Sequence, residues 1–161
     1  SGNVNIFQRS SKKLAILAIL GLLVIGGAGF GYYTMKMNEP SFKGVAIPVK
    51  GVEDETVDKW VEGFQTVLAR DEVLQAIVDK TDYSAKLEIP TGEAVDHLQN
   101  AIKVEHKKRS NMIAIGLMGK RKQDEYLVKI GEEIYRGAEK EVAIKEPTFL
   151  QFLQANSKES E

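Results

Sequence analysis

The sequence predicts an α+β domain carried on a single N-terminal transmembrane helix. Three observations lead there. Leu14 to Tyr33, LAILAILGLLVIGGAGFGYY, runs twenty residues without a charge. Beyond it, stretches that alternate apolar and polar residues are interleaved with stretches whose apolar residues recur at three and four, the marks of strands and helices in one unit. The remaining chain, about 125 residues, is enough for one hydrophobic core but not for two.

At 1.5 Å of rise per helical residue the apolar run reaches about 30 Å, the thickness of a bilayer's hydrocarbon core. Lipid offers backbone groups no partner, so such a segment crosses only as a helix. Arg9, Lys12 and Lys13 precede it, and Tyr32 and Tyr33 close it at interfacial depth. Positive flanks stay in the cytoplasm, which makes residues 1–13 a short cytoplasmic N-terminus and puts the chain beyond the 14–35 helix outside. The expected location is a bacterial inner membrane with the main domain in the periplasm. Two other readings stand beside the anchor. A cleaved signal peptide has a charged start and a small-residue exit, which Gly26 to Gly31 imitate. A buried core helix is the other, although Leu14 to Leu23 offers no polar face. Gly27 and Gly31, four residues apart, suit close approach by another membrane helix.

The exported domain is assigned to residues 41–147. Phe42 to Val49 reads as a strand, with Val45, Ile47 and Val49 on one face. Pro48 cannot donate to a ladder, so the strand stops near Ile47 or uses an unpaired edge there. A helix follows, capped by Asp54, with Val57, Trp60, Val61, Phe64, Val67 and Leu68 as its apolar stripe. Asp71 and Glu72 interrupt that register, so the helix breaks or bends near Arg70 before Val73, Leu74 and Ile77 resume it. Asp82 to Ile89 is extended in character but poorly patterned. Pro90 ends it, and Thr91 caps a short helix bearing Val95, Leu98 and Ala101. Ile102 to Lys107 alternates as a half-buried strand, Lys108 to Asn111 turns, and Met112 to Leu117 returns. Asp124 opens a helix with Leu127, Ile130, Ile134 and Ala138 buried, and Glu141 to Lys145 reads as a last strand ended by Pro147. Merging the helices after the first strand gives βαββαβ, the ferredoxin-like order, with helices on one face of an antiparallel sheet.

Three of these stretches together carry a family resemblance: RDEVLQAIV at 70–78, TGEAVDHLQNAIKVEHKKRSNMIAIGL at 91–117 and QDEYLVKIGEEIYRGAEKEVAIKEP at 123–147. In their apolar positions and element order they resemble the base domain of the chain-length determinant proteins, the polysaccharide co-polymerases of the Wzz type. The resemblance spans roughly half of the chain. It implies a membrane helix followed by an α+β base outside the inner membrane, and homo-oligomeric rings beside a polysaccharide polymerase. This chain departs from the pattern in having no long helical arm, and no second apolar helix follows Pro147 within these residues.

The chemistry-bearing residues form no recognisable constellation. A formal net charge of −1 with 28% charged residues argues against polyanion binding, so nucleic acid is not an expected partner. The absence of cysteine excludes thiol chemistry and thiolate metal sites and leaves the domain reliant on packing. His97 and His106 lack ligand spacing, so no metal and no cofactor are expected. Gly116 to Lys120 has the spacing of neither phosphate-binding glycine fingerprint. The chain is therefore read as non-enzymatic.

Candidate contact residues come instead from two basic triplets and the tail. If the first and third strands run parallel, the turn at Lys107, Lys108 and Arg109 faces the membrane and Lys120, Arg121 and Lys122 lie at the distal pole. A fourth strand returning toward the bilayer would release the tail, residues 148–161, close to it. Phe149, Leu150, Phe152 and Leu153 would then meet the headgroups, a neighbouring subunit or the domain's own core. Trp60 is expected to pack against the sheet with its N–H at an edge partner. The function expected is that of an accessory subunit whose exported domain holds or stabilises subunits of a membrane complex of energy-converting or export type. Its partners are the lipid bilayer and other subunits or copies of itself. The alternative is a Wzz-like homo-oligomeric regulator of polysaccharide chain length.

Overall fold

The computed structural model describes residues 36–159; the apolar run at 14–35, with Gly27 and Gly31, lies outside the described residues. Among the described residues no helix is long and apolar enough to cross a membrane. The first strand, β1, is Pro40–Pro48, and its N-terminal end continues from the segment that follows the apolar run. Helix α1, Asp54–Val67, buries all of its predicted stripe within the helix. Glu53 rather than Asp54 occupies the N-cap, with no side-chain capping bond; Asp54 and Glu55 instead put negative charge in the first turn, where the helix dipole favours it. Arg70 marks the break before α2, Asp71–Thr81, and its guanidinium pairs with Glu141.

The poorly patterned stretch is a five-residue helix, α3, Tyr83–Leu87, bounded by Asp82 and Glu88 with φ of 56° and 57°. Those left-handed residues set off a segment too short to show helical periodicity. A single 3₁₀ turn, Thr91–Glu93, leads into α4, Ala94–Ala101. Strand β2 is Ile102–Lys107 and β3 is Met112–Lys120, joined by a tight turn in which Asn111 is left-handed. Helix α5, Asp124–Lys145, and α6, Pro147–Glu159, complete the described chain.

The domain is α+β, with a three-stranded antiparallel sheet of order β1-β3-β2. Two expectations about the sheet need correction. Glu141 to Lys145 is not a strand but the last turn of α5. The stripe Ile134, Ala138, Val142 continues at intervals of four, and burying Val142 and Ala143 leaves Ile144 outside at 78% exposure. Nothing in that stretch breaks a helix until Pro147, which is itself well placed as the first residue of α6. The second correction concerns direction. β1 and β3 run antiparallel, with Pro40 opposite Lys120 and Pro48 opposite Met112. The tight turn reverses the chain between β2 and β3, so β2, not β3, is the strand parallel to β1.

One face of the sheet carries Val45, Ile47, Val104, Ile113, Ile115 and Leu117 into the core with the helices. Helix α5 reaches the sheet through glycine: a Cβ on Gly131 would lie 2.6 Å from the Cα of Gly44. Opposite Gly44 in the ladder stands Gly116, and a Cβ on either would meet the other strand's backbone at 2.0–2.1 Å. Side chains there would force the strands apart.

The tail closes the core. Phe149 is fully buried, edge-on to Trp60 at 5.2 Å and to Phe64 at 5.4 Å. The Trp60 Nε1–H donates to Thr148 Oγ1 at 2.9 Å, so the indole's polar edge meets the tail, and Phe152 lies 5.1 Å from its ring.

Candidate interaction surface

The second face of the sheet carries no share of this core. Its rows, read across the register, are Phe42 beside Met118, Gly44 beside Gly116 and Lys103, Ala46 beside Ala114 and Glu105, and Pro48 beside Met112 and Lys107. Phe42 is exposed at 36%, while Ala46, Met112, Ala114 and Met118 are half-buried. The glycine pair makes a floor between larger side chains at both ends. The β2 side is charged and exposed, through Lys103, Glu105 and Lys107. An antiparallel sheet with one face on the core ordinarily wets the other with polar residues. Here β1 and β3 keep it apolar or small. β1 is also an edge strand, and Pro40 and Pro48 at its two ends restrict ladder extension by another chain.

The antiparallel register exchanges the positions expected for the two basic triplets. Lys120, Arg121 and Lys122 lie at the pole where the chain enters β1: the Arg121 N–H donates to the Glu39 carbonyl at 3.0 Å, and its guanidinium stands 3.7 Å from the Glu39 carboxylate. Lys107, Lys108 and Arg109 lie at the opposite pole, where the Val49 N–H donates to the Asn111 carbonyl at 2.8 Å. Acidic groups attend that pole. Lys107 pairs with Glu105 at 2.5 Å, which holds the Glu105 carboxyl below its ordinary range, and His106 stands 2.8 Å from Asp58 and 3.7 Å from Asp54.

The tail residues are divided by their burial. Phe149 is spent on the core, Phe152 and Leu153 are half-buried against it, and Leu150 is exposed at 42%. Helix α5 starts against β1, where Ser41 Oγ donates to Asp124 at 2.6 Å, and runs roughly 33 Å to its end. The tail therefore starts far from the point where the chain enters β1, and not beside it as a returning fourth strand would have placed it.

Two shallow clefts lie among the described residues. One of about 330 Å³ between α2 and α5 is lined by Glu72, Ile77, Lys80, Glu133 and Arg136. Its charges largely satisfy one another, with Glu133 receiving Lys80 at 3.0 Å and Arg136 at 3.1 Å. The other, about 400 Å³, follows the free edge of β2, where Gln65 Nε2 donates to the Val104 carbonyl at 3.1 Å. Among the described residues no group of three His, Cys, Asp or Glu side chains could hold a metal ion. Tyr83 and His97 share a part-buried hydrogen bond of 2.6 Å, and burial pushes the Tyr83 hydroxyl pKa well above the ordinary tyrosine value.

No family model, no curated protein and no solved structure matches the chain.

Sequence reasoning passed over Phe42, Met112 and Met118. The signal was present: apart from Lys43 and the terminal Lys120, β1 and β3 are apolar or small at both parities, the mark of a strand with two dry faces rather than one.

Proposed function

We propose that this is a single-pass membrane protein of the bacterial inner membrane whose exported domain holds an unlike subunit of a membrane complex. The observation that carries the reading is the conjunction of a charge-free run of twenty residues with an apolar second sheet face on the domain it leads into. Phe42 and Met118 occupy the end of that face nearest the chain's exit from the apolar run. With the apolar run in the membrane, a chain seated there would lie near the bilayer surface, which favours a membrane subunit as occupant. Arg9, Lys12 and Lys13 support a cytoplasmic N-terminus and a periplasmic domain. The strand order β1-β3-β2 is that of the first three strands of a ferredoxin-like sheet. We read the domain as that arrangement with the fourth strand replaced by the helical end of α5.

The test is extraction in mild detergent followed by native mass measurement of the wild type and Phe42→Glu. The reading expects unlike chains with the wild type and their loss from Phe42→Glu, with unfolding within about 1 kcal/mol of wild type. A large homo-oligomer would favour ring formation of the chain-length-determinant kind. Unlike chains retained by Phe42→Glu would remove the sheet face from the reading.

A further inference from the structure

We propose that the Lys120-Arg121-Lys122 turn docks the headgroups of anionic phospholipid and holds the domain upright on the bilayer. This inference rests on the anchor reading above. From Tyr33 to Glu39 the chain has six residues, which span at most about 20 Å when extended. Glu39 is bonded to Arg121 through both backbone and side chain, and Pro40 pairs with Lys120. The triplet is therefore tethered within reach of the interface at which the apolar run ends.

The local charge suits that partner. Lys36, Lys43, Lys120, Arg121 and Lys122 face Glu39, Asp124 and Glu125 at this pole. Lys36 pairs with Glu39 at 3.2 Å and Lys43 with Asp124 at 4.0 Å, whereas Lys120 and Lys122 are exposed and carry no ion pair among the described residues. The pole is positive after its internal pairs are formed. The other triplet, Lys107-Lys108-Arg109, is attended by Glu105 and by the acidic start of α1 through His106, Asp54 and Asp58. Among the described residues each triplet has one paired cation, Lys107 with Glu105 and Arg121 with Glu39, so what sets Lys120-Arg121-Lys122 apart is its tether beside the chain's exit and its distance from the acidic start of α1. Each cation near an anionic surface favours the bound state about fivefold, an effect that fades within a Debye length and weakens with salt.

The cysteine-free chain allows site-specific labels. Glu125→Cys, in the first turn of α5, and Ser110→Cys, at the opposite pole, are exposed positions for an environment-sensitive fluorophore. The full chain is reconstituted in phosphatidylcholine vesicles with and without phosphatidylglycerol, a fraction of the lipids carrying a headgroup quencher. The expected result is strong quenching at position 125 and weak quenching at 110. Quenching at 125 should deepen with phosphatidylglycerol and diminish as salt is raised. Lys120→Gln/Arg121→Gln/Lys122→Gln should abolish the lipid dependence while the protein still floats with the vesicles. A floating protein whose label at 110 is the more quenched, or whose label at 125 ignores both lipid charge and salt, overturns the proposal and leaves the anchor standing. A protein that does not float refutes the anchor, and lipid docking falls with it. The salt series on the labelled Glu125→Cys chain remains decisive should the triple variant misfold.

Discussion

Phe149→Ala tests whether the tail belongs to the domain or waits for a partner. The ring is fully buried and is enclosed by Trp60, Phe64 and Phe152, at centroid distances of 5.2, 5.4 and 6.3 Å. Returning it to water forfeits roughly 1.5–3 kcal/mol of transfer free energy. The edge-on contacts with Trp60 and Phe64 are worth about 0.5–1.5 kcal/mol each beyond burial. The cavity left between α1 and α6 adds to the loss. These terms place the variant at about 3–5 kcal/mol less stable, within the span for such truncations. For a domain of this size that is a fall in melting temperature on the order of 10–20 °C. Urea unfolding of the full chain in detergent, followed by circular dichroism and Trp60 fluorescence, measures it. Leu150→Ala is the internal control, since a residue exposed at 42% should cost no more than about 0.5 kcal/mol. If Phe149→Ala unfolds within about 1 kcal/mol of wild type, the tail is not a working part of the core. Equal losses at the two positions would refute the packing argument as well.

Two glycines of α5 should respond to alanine with opposite sign. Gly131→Ala places a Cβ 2.6 Å from the backbone of Gly44, an overpacking of about 1–3 kcal/mol that outweighs the gain of about 1 kcal/mol in helix propensity. Gly137→Ala meets only the Ile77 side chain, at 3.5 Å, so it should stabilise by up to about 1 kcal/mol; equal signs in chemical denaturation would sink the comparison. Tyr83, kept protonated by burial, gives stability a high-pH limit. The unfolded tyrosine releases its proton near pH ~10 and the folded one does not, so stability holds below that value and falls above it by up to about 1.4 kcal/mol per pH unit. Urea midpoints across the alkaline range should show the fall, and Tyr83→Phe should lessen it, the remainder belonging to Tyr135, whose hydroxyl pKa burial also raises. Protease added outside spheroplasts should digest the domain; protection until lysis would invert the topology.

Local chemistry alone was sufficient for much of this molecule. The stripe Val57, Trp60, Val61, Phe64, Val67 is a property of spacing, and each of these side chains is buried where the spacing puts it. Ile102 to Lys107 alternates and is a strand with those bounds, and the charges at Asp71 and Glu72 end one helix and begin the next. The charge-free run from Leu14 and the basic residues before it are likewise facts of sequence, and they carry the membrane reading.

Other features depend on which segments meet. Glu141 to Lys145 offers both a period of two and the tail of a period of four; burial of Val142 beside α1, where a Cβ on Gly63 would meet it at 3.5 Å, accompanies the helical outcome. The direction of β1 relative to β3 is written in no single segment. It follows from how many times the chain reverses between them, and it decides which basic triplet stands beside the chain's exit. Trp60 was legible as a core residue, but its partner Thr148 lies 88 residues away, and no periodicity links the two. The apolar second face arises in the same way: Phe42 and Met118 become neighbours only through the ladder that joins β1 to β3. Spacing along the chain sets which side of an element is apolar, whereas the pairing of distant elements sets what that side faces.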